Sequence, residues 1–307
     1  MTQQMLVLRA SGGLSNRLQA VAAGLAYCLL SGRALYVDWR DGIYSDDFSN
    51  VFPRWFQLSG VAQASPPLPP FPETRVFPPF WKDWLSEAVA VEYLFDNDHM
   101  SPDNVARTSL DFSRLDYPQD ILVGWGWDLS PLRRMLPALR QRYPDWGAFS
   151  EGETARRLLT NHLTPAPEIL HSVELFAASR FPPGRTIGIH IRHTDLQSPL
   201  ERMLDTLRRL ASPDDTIFLT TDNRHVQTAV SRLFPRAVFT EKQFPPGDEP
   251  LHCYVPGLSN EQKGREALID MLLLTRCDRI IHYRRSSFAR LPALLSGLPQ
   301  ERIHVVD

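Results

Sequence analysis

The sequence predicts an α/β protein built from two units, each organised around a parallel sheet. Near the N-terminus, the apolar segment MLVLRA, a Gly-Gly turn, a helical pattern and the strand-like ALYVDW (34–39) follow one another as a βαβ unit. In the second half of the chain, short apolar segments again alternate with helical ones. Prolines cluster between these regions, so we place the boundary near 165–182. Residues 1–175 and 176–307 are therefore assigned to two domains.

In the first domain, the helical pattern begins near Asn16 and ends at Gly32, because glycine favours the left-handed position that ends a helix. The proline-rich stretch 64–80 predicts an extended surface loop, since proline lacks an N–H and is disfavoured inside helices and sheets. The segment ILVGWGWDL (121–129) predicts a buried strand. Pro137 is expected to interrupt the helix that follows.

In the second domain, strands and helices alternate more regularly. The predicted strands are TIGIHIRH (186–193), TIFLTTD (216–222), AVFT (237–240), RIIHY (279–283) and IHVV (303–306). The predicted helices cover residues 200–211, 223–234, 264–277 and 286–297. Because alternation of this kind is typical of βαβ units, the pattern predicts a second α/β sheet with parallel strands.

The composition limits the classes of function. The 307 residues include 33 Lys plus Arg and 35 Asp plus Glu, which gives a net charge of −2. A protein dedicated to nucleic acid usually presents a dominant basic face, so we expect no nucleic-acid partner. Arginine far outnumbers lysine, which favours local anion contacts of fixed geometry.

The cysteines and the first residues bear on the compartment. Cys28, Cys253 and Cys277 show no CxxC spacing, so we expect small buried residues and neither a disulfide framework nor a zinc site. The chain starts without the basic and long apolar segments of a secretion signal. No stretch approaches the roughly 18 apolar residues of a membrane span. We therefore expect a soluble, cytoplasmic protein.

Polar residues follow the apolar strands at the ends where parallel sheets bind ligands. They are Gly12, Gly13, Ser15, Asn16 and Arg17 after the first strand; Arg192, His193, Thr194 and Asp195 after the strand at 186; Thr221, Asp222 and Asn223 after the strand at 216; and Arg284, Arg285, Ser286 and Ser287 after the strand at 279. Arginines, hydroxyls and glycine-flanked N–H groups together bind phosphate or diphosphate. Their co-occurrence predicts a site for such an anion.

Each of these sets also has a structural interpretation. His190 and Arg192 point to the same side of one strand, and an inward arginine can simply pair with a structural carboxylate. Ser286 and Ser287 precede a helix, where serine commonly caps backbone N–H groups. The GGLSN stretch departs from the GxGxxG fingerprint, so a nicotinamide enzyme is poorly supported.

Four segments of the chain carry a family resemblance. They are SGGLSNRLQAVAAGLAYCLLSGRALYVDW, IGIHIRHTD, FLTTDN and EALIDMLLLTRCDRIIHYRRSSFARL. In this order they resemble the N-terminal glycine-rich motif, the His-x-Arg motif and the second and third donor-domain motifs of the α-1,2-, α-1,6- and protein O-fucosyltransferase superfamily. The similarity is greatest to the nodulation-type α-1,6-fucosyltransferases. It covers the first forty residues and most of 186–292 but shows no clear correspondence in 45–175.

The resemblance implies a GT-B fold, in which two Rossmann-like domains face each other across a cleft. It implies that residues 176–307 bind the donor GDP-fucose, and that residues 1–175 lie on the side of the acceptor, a glycan or glycoconjugate hydroxyl. It also implies an inverting transfer without a metal or any other cofactor. The chemistry agrees, because fixed guanidinium and amide donors can stabilise the charge that develops on the leaving diphosphate.

The resemblance also implies roles for individual residues. Arg192 would clamp the diphosphate and stabilise the transition state, while Asn16, together with Gly12 and Gly13, would reach the donor from the other domain. The remaining donor-binding residues would be His190, Asp222, Asp270, Ser286, Ser287 and Phe288.

An inverting transfer also needs a base that accepts the proton of the acceptor hydroxyl. Asp38, at the end of the second strand, and Asp128, after VGWGW, are the candidates, although either carboxylate also suits a helix or turn cap. Trp125 and Trp127 could stack on a sugar face, or could simply pack inside the protein.

Two other functions stay open at this point. Asp96 and Asp98 in LFDNDHM follow an apolar run, as the metal-binding pair of a metal-dependent glycosyltransferase does. Aspartates that flank asparagine are also common in turns. A non-catalytic sugar-nucleotide-binding protein would keep the same arginine and carboxylates without turnover.

Overall fold

The protein is described by a computed structural model that covers residues 3–9, 11–245, 249 and 255–307. Two residues that carry a prediction lie outside the described residues. They are Ala10, predicted in the first strand, and Cys253, predicted to be buried.

The chain divides into two compact units, Met1–Pro165 and Ala166–Asp307. The predicted division between residues 175 and 176 falls inside the helix Pro167–Arg180. This helix belongs to the second unit because it packs against a later helix, Asn260–Leu274.

The first unit contains a four-stranded parallel sheet and a separate antiparallel pair. Its strands are β1 (Met5–Arg9), β2 (Ala34–Asp38), β3 (Phe56–Leu58), β4 (Val76–Phe77), β5 (Ile121–Trp125) and β6 (Leu163–Pro165). Its helices are α1 (Leu14–Ser31), α2 (Phe52–Trp55), α3 (Pro102–Thr108), α4 (Ser130–Arg142) and α5 (Glu151–His162). The sheet has the order β2-β1-β5-β4, and β3 pairs with β6. The predicted βαβ unit is confirmed, since β1 and β2 are parallel neighbours.

Helix α1 starts directly after the end of β1. It begins at Leu14 rather than at the predicted Asn16, because the chain turns at Gly12 with a left-handed φ of 67° and Gly13 occupies the position before the helix. Gly32, with a φ of 73°, ends the helix as predicted. The first turn of α1 therefore lies at the carboxyl end of a parallel strand, where backbone N–H groups are available to anions.

The structure departs from the predictions at two proline-rich places. Within the stretch 64–80, Val76–Phe77 pairs with β5 as an edge strand, which proline tolerates because an edge leaves N–H positions unpaired. Pro137 lies inside α4 without ending it. Burial of Met135 and Leu139 on one face of this helix stabilises it despite the missing hydrogen bond.

The second unit is a five-stranded parallel sheet with helices on both faces. Its strands are β7 (Thr186–Ile191), β8 (Thr216–Thr221), β9 (Ala237–Val238), β10 (Arg279–Tyr283) and β11 (Ile303–Val306). Its helices are α6 (Pro167–Arg180), α7 (Leu200–Leu210), α8 (Arg224–Leu233), α9 (Asn260–Leu274) and α10 (Ser287–Leu295). The strand order is β11-β10-β7-β8-β9, with every pair parallel. This confirms the predicted second α/β sheet.

Alternate residues of β7 face the two helical layers. Its isoleucines pack into one core cluster with α7 and α8. On the opposite face, Gly188 lets the end of α9 approach closely, since a Cβ at this position would lie 2.9 Å from Leu274 Cδ2. His190 lies on the same face as Gly188, because it is two residues further along the strand. This arrangement places His190 beside α10.

Two sequence-based expectations concern cysteines and membrane spans. Cys28 and Cys277 are buried free thiols, as predicted, and burial raises the pKa of both. None of the helices formed by the described residues has the length and apolar character needed to cross a bilayer.

Candidate active site

Polar side chains collect at the carboxyl end of the second sheet. Arg192 directly follows β7, and Asp222 directly follows β8. The His193 N–H donates to Asp222 Oδ1 at 2.7 Å, and the Thr194 hydroxyl donates to Asp222 Oδ2 at 2.6 Å. Asp222 therefore holds the loop that follows Arg192, so two of the predicted strand-end sets meet. Its contact with a nucleotide stays a prediction.

The Arg192 guanidinium is held by carboxylates at this strand end. Its Nε and Nη2 donate to the Asp195 carboxylate at 2.8 and 2.5 Å, and Asp222 Oδ2 lies 3.9 Å from Nε. The Arg192 side chain is 19% exposed and that of Asp195 is 37% exposed. Because water reaches this pair, the guanidinium can exchange one oxyanion for another, and a phosphate can take the place of Asp195.

Asn223 joins these loops to helix α8. Its Oδ1 accepts hydrogen bonds from the N–H groups of His225 and Val226 at 2.9 and 3.1 Å. Its Nδ2 donates to the His193 carbonyl at 3.3 Å. Among the strand-end residues, the capping role of Asn223 had a recognisable signal, since asparagine just before a helical pattern commonly caps it.

His190 is a buried histidine next to this site. It is 5% exposed, its Nδ1 lies 2.9 Å from Thr220 Oγ1, and its ring centroid is 4.8 Å from that of Phe288. Burial lowers the pKa of His190 well below its ordinary value, and the nearby cations Lys242 and Arg192 lower it further. The imidazole is therefore neutral. Its Nε2 is buried and has no hydrogen-bond partner among the described residues, so it can bond to a bound molecule.

The lowered pKa of His190 predicts how stability depends on pH. Below about pH 6.5 the unfolded chain protonates this histidine while the folded protein keeps it neutral, so the free energy of unfolding falls with pH by up to about 1.4 kcal/mol per unit. The pKa values of His282 and His304 are also lowered, and both add to the slope. Urea unfolding between about pH 5 and pH 7 measures it.

The matched variants for this test are His190→Gln and His171→Gln. His190→Gln is expected to reduce the slope, because the glutamine does not titrate. His171 lies exposed on α6, so His171→Gln is the same substitution at a surface position. A slope in His190→Gln equal to that of the unmodified protein would contradict the prediction.

The start of α10 differs from an ordinary serine cap. Ser286 is fully buried and occupies the position before the helix, but its side chain makes no capping hydrogen bond. Its Oγ has no partner among the described residues. The capping interpretation is therefore not what the structure shows. Of the two arginines just before it, Arg284 pairs with Asp307, and Arg285 is exposed. The hydroxyl of Ser286 and the helix start are suited to an anion.

Asp270 is engaged inside the protein. Its side chain is 2% exposed, and its Oδ1 accepts a hydrogen bond from Thr240 Oγ1 at 2.6 Å. Its Oδ2 pairs with the ammonium of Lys242, which also donates to the Thr221 carbonyl at 3.2 Å. Asp270 thus holds a cation at the end of β8, while its predicted contact with a nucleotide stays a prediction. Sequence reasoning missed Lys242, because no motif marks the irregular segment after β9.

In the first unit, the glycine-rich turn already holds an anionic group. The Gly12 N–H and the Ser11 hydroxyl donate to Glu92 Oε1 at 2.5 and 2.9 Å. Asn16 lies half-buried in the first turn of α1. The sequence pattern predicted an anion at this turn, and the Gly12 N–H donates to a carboxylate of the chain itself, that of Glu92. The predicted contacts of Gly13 and Asn16 with the donor stay predictions.

Both candidate bases have structural contacts. Asp38 is 3% exposed, Arg40 donates to its two oxygens at 2.9 and 3.0 Å, and Arg9 lies 3.6 Å away. Asp128 Oδ1 accepts the N–H and the hydroxyl of Ser130 at 2.9 and 2.7 Å, at the start of α4. These contacts match the structural interpretation of each carboxylate. A role of either residue as the base stays a prediction.

The two tryptophans after β5 belong largely to the core. Trp125 is 5% exposed, and its Nε1 donates to Thr108 Oγ1 at 3.1 Å. Trp127 is half-buried, with its ring centroid 5.4 Å from that of Trp125. Internal packing therefore explains Trp125.

Asp96 and Asp98 lie in an exposed turn after the short 3₁₀ helix Tyr93–Phe95, not at the end of a strand. Asp96 and Asn97 have left-handed φ values of 49° and 68°. The Asp98 N–H donates to the Phe95 carbonyl at 2.7 Å. These are the contacts of a turn. Throughout the described ranges, no three or more His, Cys, Asp or Glu side chains converge in a way that could hold a metal ion.

Comparison with known sequences supports an evolutionary assignment. The family model of Nodulation protein Z (NodZ) matches residues 148–303, about half of the chain, and this range includes Arg192, Asp222 and Ser286. Nodulation protein Z of Bradyrhizobium diazoefficiens is 28% identical over 315 residues, covering 95% of this chain and 79% of the relative. Nodulation protein Z of Azorhizobium caulinodans is 26% identical over 324 residues, covering 94% and 88%.

Solved structures agree with this assignment. A crystal structure of NodZ α-1,6-fucosyltransferase soaked with GDP-fucose matches with a TM-score of 0.64 and 25% identity, over 95% of this chain and 92% of that one. Arabidopsis thaliana FUT1 in complex with GDP shares the fold, with a TM-score of 0.61 and 15% identity over 98% of this chain and 72% of that one. The predicted α/β class of GT-B type is confirmed. The chain belongs to the NodZ family.

Proposed function

We propose that this chain is an inverting fucosyltransferase that moves fucose from GDP-fucose to a hydroxyl of a glycan or glycoconjugate. Membership of the NodZ family supports the proposal, since a solved NodZ is described as an α-1,6-fucosyltransferase soaked with GDP-fucose. The observation that carries it is the Arg192 guanidinium at the end of β7, in a bidentate pair with a water-accessible carboxylate. A guanidinium in this position is built to receive a second oxyanion.

The leaving diphosphate defines what the site has to do. Cleavage of the glycosyl–phosphate bond builds negative charge on the phosphate oxygen while the sugar becomes oxocarbenium-like. Arg192 exchanges Asp195 for this oxygen, and the start of α10, with Ser286 and Ser287, adds further donors. Asp222 keeps the Arg192 loop in place through His193 and Thr194. Once the donor is bound, these groups already face its diphosphate, so little reorganisation is needed as charge develops.

The nucleoside is assigned to the neighbouring buried groups. His190 offers an unpartnered Nε2 next to the ring of Phe288. Because its pKa is lowered, His190 does not bring a second positive charge to the site. Asp270, held by Lys242 and Thr240, keeps acceptor capacity, since a carboxylate can accept about four hydrogen bonds.

The first unit is proposed to bind the acceptor, with Gly13 and Asn16 contacting the donor. The division of roles follows the predicted domains, residues 1–175 for the acceptor and 176–307 for the donor. Asp38 and Asp128 remain the predicted bases, and the cytoplasmic location also remains a prediction. The transfer is proposed to need no metal, because Arg192 and the start of α10 supply the positive potential.

Calorimetry with the purified chain tests the donor. We expect GDP-fucose and GDP to bind, and UDP-sugars to bind far more weakly. At a ligand concentration of about 100 times Kd, the free energy of unfolding should rise by about 2.7 kcal/mol, which a thermal-shift measurement detects. Transfer of fucose to glycan acceptors should persist in EDTA.

The outcomes separate the alternatives. Transfer that EDTA abolishes and Mg²⁺ restores would favour metal-dependent chemistry and draw attention back to Asp96 and Asp98. Binding of GDP-fucose without turnover on any glycan acceptor would favour a non-catalytic binding protein. A preference for UDP-sugars would contradict the proposed donor.

A further inference from the structure

The side chain of Glu92 binds the glycine-rich turn of the first unit. Its Oε1 accepts the Gly12 N–H at 2.5 Å and the Ser11 hydroxyl at 2.9 Å. Its Oε2 is buried and has no hydrogen-bond partner among the described residues. The family match covers residues 148–303 and so includes neither this turn nor Glu92. The contact links two segments about eighty residues apart in the chain.

The segment that carries Glu92 is fixed to the end of β1. The buried guanidinium of Arg9 donates to the carbonyls of Trp84, Glu87 and Val89 at 3.0, 3.0 and 2.7 Å. Three backbone acceptors on one guanidinium leave this segment little freedom. Since Arg9 is the last residue of β1, the segment and the glycine-rich turn share one anchor. The hydrogen bonds from Arg9 therefore hold the segment that places the Glu92 carboxylate at the turn.

Arg17 holds the opposite side of the same turn. Its Nε donates to the Gly12 carbonyl at 2.8 Å, and its Nη2 pairs with Asp41 at 2.7 Å. The Arg17 guanidinium also lies over the rings of Tyr44 and Trp39, at 4.8 and 5.6 Å from their centroids. The Gly12 residue is thus clamped at its N–H by Glu92 and at its carbonyl by Arg17. This clamp fixes the left-handed φ of 67° from which α1 starts.

Fixing Gly12 also fixes Asn16, which lies one turn further along. A Cβ placed on Gly12 would be only 3.1 Å from Asn16 Nδ2, so this amide lies beside Gly12. The first turn of α1 contains no acidic residue of its own, and the acceptor oxygen at Gly12, just before the helix, comes from Glu92. Displacement of the turn would therefore displace Asn16.

We infer that Glu92 is a positioning residue, which sets the glycine-rich turn and Asn16 for fucosyl transfer. The inference rests on the proposed function. This positioning role requires that residue 92 place a hydrogen-bond acceptor oxygen where Oε1 lies. It does not require that the residue carry a negative charge or accept a proton. The amide of glutamine offers such an oxygen in the same place, whereas alanine offers none.

Three variants test this requirement. In Glu92→Ala, kcat is expected to fall by about 10²-fold, because a misplacement of about 1 Å has that effect. The affinity for GDP is expected to change far less than kcat, since most contacts to GDP are assigned to the second unit. Glu92→Gln is expected to recover most of the activity, with an unaltered pH profile of kcat. Glu87→Ala is the matched control, as this exposed carboxylate lies in the same segment.

Two results would overturn the inference. Glu92→Ala with the kcat of the unmodified enzyme would show that the hydrogen bond between Glu92 and Gly12 does not contribute to transfer. Glu92→Gln as inactive as Glu92→Ala, in folded protein and with loss of the acidic limb of the pH profile, would show that Glu92 acts as a proton acceptor instead.

Amide hydrogen exchange tests the clamp without any assay of transfer. Exchange at Gly12 is expected to be faster in Glu92→Ala than in the unmodified protein, and close to normal in Glu92→Gln. Equal exchange in all three proteins would reject the clamp. If the unmodified enzyme transfers no fucose, the proposed function fails, while the exchange result still decides whether Glu92 holds the turn.

Discussion

Arg192→Ala is expected to lower kcat for fucosyl transfer by about 10²–10³-fold, which corresponds to about 3–4 kcal/mol of transition-state stabilisation. The guanidinium is the one cation that directly follows β7, and its two donors to Asp195 have the spacing that two phosphate oxygens also present. Its contribution grows as charge develops on the leaving diphosphate, so the loss should appear in kcat and not only in donor affinity.

The fold is expected to survive this substitution. Asp195 is 37% exposed, so water can solvate its carboxylate once the guanidinium is gone. Circular dichroism and urea unfolding of Arg192→Ala should therefore resemble those of the unmodified protein. Steady-state kinetics with GDP-fucose and a glycan acceptor, at matched folded protein, measure the effect.

Two further substitutions sharpen the test. Arg192→Lys keeps the charge but loses the planar pair of donors, so its kcat should lie between those of Arg192→Ala and the unmodified enzyme. Arg285 is exposed a short distance beyond β10, and Arg285→Ala should leave kcat nearly unchanged. Near-normal transfer by a folded Arg192→Ala protein would reject the assignment of this guanidinium to the diphosphate.

The strands and helices of the second unit could be predicted because their signals are local. Strands buried on both faces are continuous apolar runs, and TIGIHI and TIFLTT became β7 and β8 within a residue or two of the predicted ends. Helix α7 was equally clear. In contrast, Val76–Phe77 and Pro137 were predicted wrongly, because pairing with β5 and burial of the α4 face outweigh the local preferences of proline.

The site was only partly predictable, because its decisive contacts join distant residues. Patterns at the strand ends predicted Arg192, Asp222 and Ser286 as candidate site residues, and the sheet positions their backbones. The partners of these groups depend on how loops run, which the sequence pattern does not encode. Glu92, at the glycine-rich turn, and Lys242, beside Asp270, are two such partners.

The Gly-Gly turn shows how a correct physical argument can meet an unexpected ligand. Glycines beside a helix start do attract a negative group, and the sequence pattern predicted one. The group at the Gly12 N–H is the carboxylate of Glu92, supplied by a part of the chain without a recognisable motif. Local chemistry predicted the kind of contact, while the tertiary structure decided the partner.

Lys242→Met is expected to destabilise the protein by about 3–5 kcal/mol, because it leaves the Asp270 carboxylate buried without its counter-ion. The side chains of Lys242 and Asp270 are only 6% and 2% exposed, so water cannot replace the ammonium. Thr240 still donates to Oδ1, but one neutral hydrogen bond does not compensate for a buried charge. Urea unfolding at about pH 7, where the carboxylate is ionised in the unfolded chain, measures the loss.

The same substitution at an exposed pair is the control. Lys82 lies 3.1 Å from Glu73, with the two side chains 34% and 64% exposed. Lys82→Met should have a far smaller effect, because water and salt screen that pair in the folded protein. Equal losses in Lys82→Met and Lys242→Met would show that burial is not the cause.

The double variant Lys242→Met with Asp270→Asn separates the charge from the packing. Asparagine is neutral and its carbonyl can still accept from Thr240, so the double variant should be more stable than Lys242→Met alone. Additive losses would contradict a buried ion pair.

Lys242 also donates to the Thr221 carbonyl, one residue before Asp222. Because Asp270 is itself assigned to the nucleoside, the effect of this bond on kcat is measured against Asp270→Asn alone. The double variant should have the lower kcat if the bond places the loops around Arg192, and equal kcat values would confine Lys242 to a structural role.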